Sequence, residues 1–133
     1  MYPPFKYGRN SKRVLDTLAP RLQMVMLEAI KTYDISLLEG YRTEVKQNEA
    51  FRTGRSTKKF PKSKHNQFPS LAVDCAPYPI DWKDEERFCV MAGHILSAAI
   101  RLEVPIRWGG NWDSDNSLTD ERFRDYGHFE LDE

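Results

Sequence analysis

The sequence predicts an α+β domain on three observations: helical patterns near the start, one long amphipathic helix in the middle, and several short strands that are not neighbours in sequence. Ser11 is placed to N-cap a short helix carrying Val14, Leu15 and Leu18. Pro20 suits the first turn of a second helix, whose stripe is Leu22, Val25, Met26, Ala29 and Ile30. Ile35 to Glu39 is β-compatible and Gly40 ends it; Thr43 can cap a polar helix running to about Gly54. Arg55 to Lys64 reads as a basic loop. Leu71 to Ala76 alternates as a strand, with Asp74 opposite the bulky Leu71, Val73 and Cys75. Asp81 or Asp84 starts the longest helix, carrying Phe88, Met91, Ala92, Ile95, Ala99 and Leu102, and Pro105 stops it. Ile106 to Trp108 is a short strand, Gly109-Gly110 a turn and Asp113 to Asp120 a polar loop. The closing strand sets His128 and Glu130 on one face and Phe129 and Leu131 on the other.

The 133 residues fit one domain, 1–133, and a chain of this length can bury a core without a disulfide or a metal. No apolar run approaches the ~20 residues of a bilayer crossing, so stable membrane insertion is not expected. Twenty basic and twenty acidic side chains cancel, which argues against a nucleic-acid partner held by phosphate attraction. The local exception is Arg52, Arg55, Lys58, Lys59, Lys62 and Lys64, either a solvated loop or a patch for an anionic polymer or lipid. Cys75 and Cys89 are too few for a disulfide framework. The first residues show no apolar core and no small-residue cleavage site of a secretory signal.

Two imidazoles and a carboxylate satisfy a hydrolytic zinc ion that keeps one position for water, and His65, Asp74 and His128 are a candidate set. Spacing alone leaves open the alternative that they are hydrogen-bonded groups in or near the core. Asp125, at the turn before the last strand, is either a general acid/base or a turn aspartate bonded to its own backbone. Arg42 stands where a guanidinium can hold a carboxylate or an oxyanion, or simply be solvated. Trp108 and Trp112 either pack in the core or line a groove, and His94, off the main helical stripe, reads as structural. A cysteine hydrolase pairing Cys75 with His128 is a rival reading, weakened because Cys75 falls on the face opposite Asp74.

Read together, Ser63-Lys-His65-Asn-Gln-Phe-Pro-Ser-Leu-Ala72-Val-Asp74 and Asp125-Tyr-Gly-His128-Phe-Glu resemble the zinc D,D- and L,D-peptidases, whose pattern is Ser-x-His, Ala-x-Asp and a distal acid-x-x-His. Gly40-Tyr-Arg42-Thr and Arg107-Trp-Gly-Gly-Asn-Trp112 resemble two further segments of that family. Phe5-Lys-Tyr-Gly-Arg-Asn-Ser11 is most similar to the small phage endolysins that cut the L-alanyl-D-glutamate bond of peptidoglycan stem peptides.

The resemblance implies a small antiparallel sheet flanked by helices, as in Hedgehog and D,D-peptidase domains. It implies Zn²⁺ on His65, Asp74 and His128, with Asp125 as acid/base, Arg42 on the substrate carbonyl, and Ser63 contacting substrate or bracing the site. It further implies a protein made in the host cytoplasm that reaches the cell wall after another protein permeabilises the membrane; a monomer is the default expectation for its oligomeric state. His65 and Asp74 are nine residues apart where much of the family has seven, so a bulged loop is expected between them. The acid before His128 is Asp, where D-alanyl-D-alanine cutters commonly carry Glu. A D-alanyl-D-alanine carboxypeptidase and a non-catalytic, metal-containing wall-binding module are the alternatives.

Overall fold

The computed structural model describes residues 4–111 and 125–133; Trp112 and the polar loop read at Asp113 to Asp120 lie outside them. Helix α1 (Arg9–Leu15) begins behind Gly8 without a side-chain cap, so Ser11 is not its N-cap. Ser11 is instead buried within the helix, where its Oγ accepts the Leu37 N–H at 3.0 Å. Leu37 belongs to an edge strand, whose outward N–H has no ladder partner and needs such an acceptor once buried. Leu18 falls outside α1 and forms an isolated parallel bridge with Ser70.

Helix α2 (Pro20–Ala29) opens on proline, whose missing N–H would have had no helical partner anyway. Strand β1 is Ile35–Glu39, and α3 (Glu44–Arg52) is capped by Thr43, whose Oγ1 accepts the Lys46 N–H at 3.3 Å. Strand β2, Ala72–Pro77, runs one residue later than the alternation indicates. Asp84 caps α4 (Glu85–Arg101) through the Arg87 N–H at 3.2 Å, with Glu85 and Glu86 in the first turn, where the helix dipole favours anions.

Pro105 does not end α4. The stop comes at Glu103, whose φ of 57° turns the chain away while the Glu103 and Val104 N–H groups close onto the Ile100 and Ala99 carbonyls. This is a Schellman stop with glutamate where glycine is usual. Strands β3 (Ile106–Trp108) and β4 (His128–Leu131) complete the described elements.

The sheet order is β1-β2-β4-β3, every neighbouring pair antiparallel. Val73 pairs with Phe129, and Trp108 with Phe129, so these side chains share the face that meets α4, with α2 packed on α4 behind it. Trp108 is thus a core residue, 6.3 Å from the Phe129 ring. The opposite face carries Asp74 paired with His128, and Arg107 paired with Glu130. Between Leu37 and Glu39 the register of β1 against β2 shifts, and Glu39 comes to pair with Asp74. This bulge moves an acid that strict alternation would send to the core side onto the polar face.

Candidate active site

Each side chain of the polar face is positioned by backbone around it. His65 sits in a short 3₁₀ turn, Lys64–Asn66, whose start is capped reciprocally: the Ser63 hydroxyl accepts the His65 N–H at 3.2 Å and Asn66 Oδ1 accepts the Ser63 N–H at 3.1 Å. The turn is zipped to the end of β1. Arg42 N–H donates to the His65 carbonyl at 2.7 Å, and His65 Nδ1 lies 2.6 Å from the Gly40 carbonyl. Gly40 must be glycine, because a Cβ there would overlap the Thr17 hydroxyl and the Leu18 side chain. The long interval between His65 and Asp74 forms the expected extra loop, pinned where Ser70 exchanges backbone bonds with Thr17 and Ala19 at 2.7 and 2.8 Å.

Three potential ligand atoms meet above the sheet. His65 Nε2 is 3.3 Å from His128 Nδ1 and 3.3 Å from Asp74 Oδ1, and His128 Nδ1 is 3.0 Å from Asp74 Oδ1. Ligands about 2.0–2.1 Å from a tetrahedral zinc are separated by about 3.3–3.4 Å, so the triangle fits such an ion nearly without adjustment. The outer ring nitrogens fix the tautomers. The Gly40 carbonyl can only accept, so His65 carries its proton on Nδ1 and offers Nε2. His128 Nε2 faces the Glu130 carboxylate at 2.8 Å, which leaves Nδ1 for a metal. His65, Asp74 and His128 together can therefore hold a metal ion.

In the metal-free protein the same contacts shift the titration of these groups, and a proton on His128 competes with an ion for Nδ1. Burial alone would lower the His128 pKa, but hydrogen bonds to Asp74 and Glu130 outweigh it and raise it to about 9. Burial would raise Asp74, yet its bonds to both histidines hold it well below the ordinary carboxylate range. Burial, then the charge of Asp74, push the Asp125 carboxyl up. Asp125 lines the same cleft, of about 420 Å³, and its backbone is tied to Gly109 through an N–H···O bond of 2.8 Å. A Cβ at Gly109 would overlap the Asp125 carbonyl, so this approach also requires glycine.

Arg42 is largely committed within the protein. Its Nε and Nη2 donate to Glu39 at 2.8 and 2.6 Å, Nη2 reaches Asp74 Oδ2 at 3.4 Å, and Nη1 donates to Gln47 at 2.9 Å. Sequence reasoning missed Glu39, Gln47 and Glu130. Glu130 alone carried a signal, as an acid two residues beyond a histidine on the same strand face. Cys75 lies in the hydrophobic core, with burial holding its thiol well above its usual pKa, and a nucleophile there has no access to the cleft. His94 ties α4 to the turn after α2, its Nδ1 2.8 Å from the Thr32 hydroxyl and its ring stacked on Tyr33 at 4.8 Å.

Comparison with known proteins bears on this geometry. The sequence model of a family described as phage L-alanyl-D-glutamate peptidase matches residues 3–132. The L-alanyl-D-glutamate peptidase of Escherichia phage T5 is 36% identical over 136 residues, covering 96% of this chain and 98% of that one. Among solved structures, the Serratia marcescens L-Ala D-Glu endopeptidase ChiX matches with a TM-score of 0.77 and 25% identity, over 95% of this chain and 90% of the other.

Proposed function

The chain belongs to the phage L-alanyl-D-glutamate peptidase family, and from that premise we propose that it is a zinc-dependent endolysin hydrolysing the L-alanyl-D-glutamate bond of peptidoglycan stem peptides. The observation that carries this reading is the triangle of His65 Nε2, Asp74 Oδ1 and His128 Nδ1, with edges of 3.0 to 3.3 Å. Zinc, when bound, supplies Lewis acidity to the scissile carbonyl and lowers the pKa of water toward about 7.

The remaining work falls to side chains. Asp125, its carboxyl raised by burial and by Asp74, takes a proton from the attacking water and returns it to the departing amine of the D-glutamate residue. A carboxylate of ordinary pKa would be a weaker base and would hold the proton too briefly to deliver it. Arg42 steadies Asp74 and Glu39, and of its five N–H groups one Nη1 hydrogen remains beyond those bonds to donate to the carbonyl oxygen as charge develops. Ser63 braces the His65 turn with its oxygen and keeps its hydroxyl proton for the substrate.

Residues 1–133 act as one catalytic domain and as a monomer. The chain is made in the host cytoplasm and meets the wall after a separate protein permeabilises the membrane; among the described residues no helix is long and apolar enough to cross one.

The test is mass spectrometry of fragments released from defined peptidoglycan. New amino-terminal D-glutamate and carboxy-terminal L-alanine are expected, lost on chelation and restored by zinc. Release of free D-alanine would identify a carboxypeptidase, and wall binding without new termini a non-catalytic module.

A further inference from the structure

Five cationic side chains line the cleft, and three are already engaged. Arg42 is bound to Glu39 and Asp74, Lys64 to Glu130 at 3.3 Å, and Arg107 lies 3.9 Å from Glu130. Arg55 and Lys58 differ: among the described residues neither has a carboxylate within ion-pair distance, and Arg55 Nε donates only to the Thr53 hydroxyl at 3.3 Å. Their loop is anchored all the same. Fully buried Gln47 donates from Nε2 to Ser56 Oγ at 3.0 Å and to the Lys58 carbonyl at 2.7 Å, while its Oε1 accepts from Arg42 at 2.9 Å and Asn66 at 3.2 Å. One amide therefore ties the backbone of the cationic loop to the guanidinium beside Asp74, so the loop that carries the two cations is anchored at the cleft before anything binds.

The substrate chemistry calls for such a pair. A glutamate joined to L-alanine through its amino group has two carboxyls, and the peptide continues from only one. A free carboxylate must therefore sit on the leaving side of the scissile bond, next to a centre already rich in acids. Arg42, Lys64 and Arg107 are already paired with Glu39, Asp74 and Glu130, so a further carboxylate needs cations beyond these three to offset its loss of water.

We propose that Arg55 and Lys58 form the subsite for the free carboxylate of the D-glutamate residue, and that this pair selects the carboxylate over its amide. The inference rests on the proposed reading and names the feature of the substrate that the cleft recognises. The neighbouring cations provide an internal contrast. Lys59 and Lys62 do not line the cleft, and Lys59 Nζ lies over the Phe51 ring at 5.2 Å.

The experiment compares two defined stem-peptide substrates, identical except that the free carboxyl of D-glutamate is a carboxylate in one and a carboxamide in the other. Zinc-loaded parental protein, Arg55→Gln/Lys58→Gln and Lys59→Gln/Lys62→Gln are assayed on both. Parental protein is expected to favour the carboxylate in kcat/KM. In Arg55→Gln/Lys58→Gln the KM for the carboxylate substrate rises roughly 5- to 20-fold with kcat within about twofold, and the preference collapses toward one. Lys59→Gln/Lys62→Gln, with the same change in net charge, keeps the preference. An undiminished preference in the cleft variant, or an equal loss in the contrast variant, overturns the subsite. Parental protein that releases no amino-terminal D-glutamate from either substrate would instead remove the reading on which the subsite rests, and the subsite with it.

Discussion

Replacing Glu130 by glutamine keeps the size of the side chain and an acceptor for His128 while removing one buried negative charge. Glu130 Oε1 lies 2.8 Å from His128 Nε2, Oε2 lies 3.3 Å from Lys64 Nζ, and the carboxylate is only 5% exposed. A hydrogen bond to a charged group contributes about 1.5–3 kcal/mol and a neutral one about 0.5–1.5, so the bond to His128 loses about 1 kcal/mol and the contact to Lys64 somewhat less. The Lys64 contact is made with or without the ion and so bears on stability, which leaves about 1 kcal/mol from the His128 bond, or about fivefold in zinc dissociation constant, just under the about 10- to 100-fold typical of groups that orient a metal-bound histidine. Glu130 also favours a proton on His128, which competes with the metal. Titration against a chelating dye well above pH 9, where His128 has given up that proton, isolates the effect on zinc. A folded Glu130→Gln protein binding zinc within twofold of the parental affinity would refute the assignment of His128 Nδ1 as a ligand oriented by Glu130.

Asp125→Asn keeps the ligand triangle intact, so zinc content is expected to stay at the parental level while turnover falls about 10²- to 10⁴-fold; parental turnover would displace Asp125 from its acid/base role. Metal-free protein is expected to lose stability as pH rises. The folded pKa of His128, about 9, lies above its unfolded value near 6.5, so its contribution is full below pH 6.5 and gone above pH 9. Asp74 is shifted the opposite way, so its contribution is present above about pH 4 and lost in acid. Melting temperatures of chelated protein should therefore fall between pH 6.5 and 9, and a flat profile there would contradict the pairing. Glu103→Gly relieves the positive φ that stops α4 and is expected to stabilise the protein by about 1 kcal/mol in urea unfolding; destabilisation would show that the glutamate side chain contributes more than its backbone conformation costs.

The legible parts of this molecule are those written in local pattern. Alternation alone put Asp74 opposite Val73 and Cys75, and set His128 and Glu130 on one face, because a strand's period is two and the register pairs Asp74 directly with His128. Motif order then joined His65 to them. What stayed hidden depends on contacts between distant segments. Glu39 reaches the site through a bulge that only the pairing of β1 with β2 reveals. Gln47 reads as one more polar residue on a polar helix until the loop at Ser56 and Lys58 folds over it. Ser11 has the chemistry of an N-cap, but the edge strand's Leu37 N–H claims its hydroxyl. Helix α4 ends by backbone geometry at Glu103, a conformation that glutamate does not advertise, whereas the more conspicuous Pro105 lies past the turn.

Anomalous scattering from crystals of the zinc-loaded protein at the zinc absorption edge tests the central claim most directly. The account predicts one strong peak per chain, about 2.0–2.1 Å from each of His65 Nε2, Asp74 Oδ1 and His128 Nδ1, with the His128 Nε2 still on Glu130. A peak located elsewhere, or bound through His128 Nε2 with the Glu130 contact broken, would contradict it.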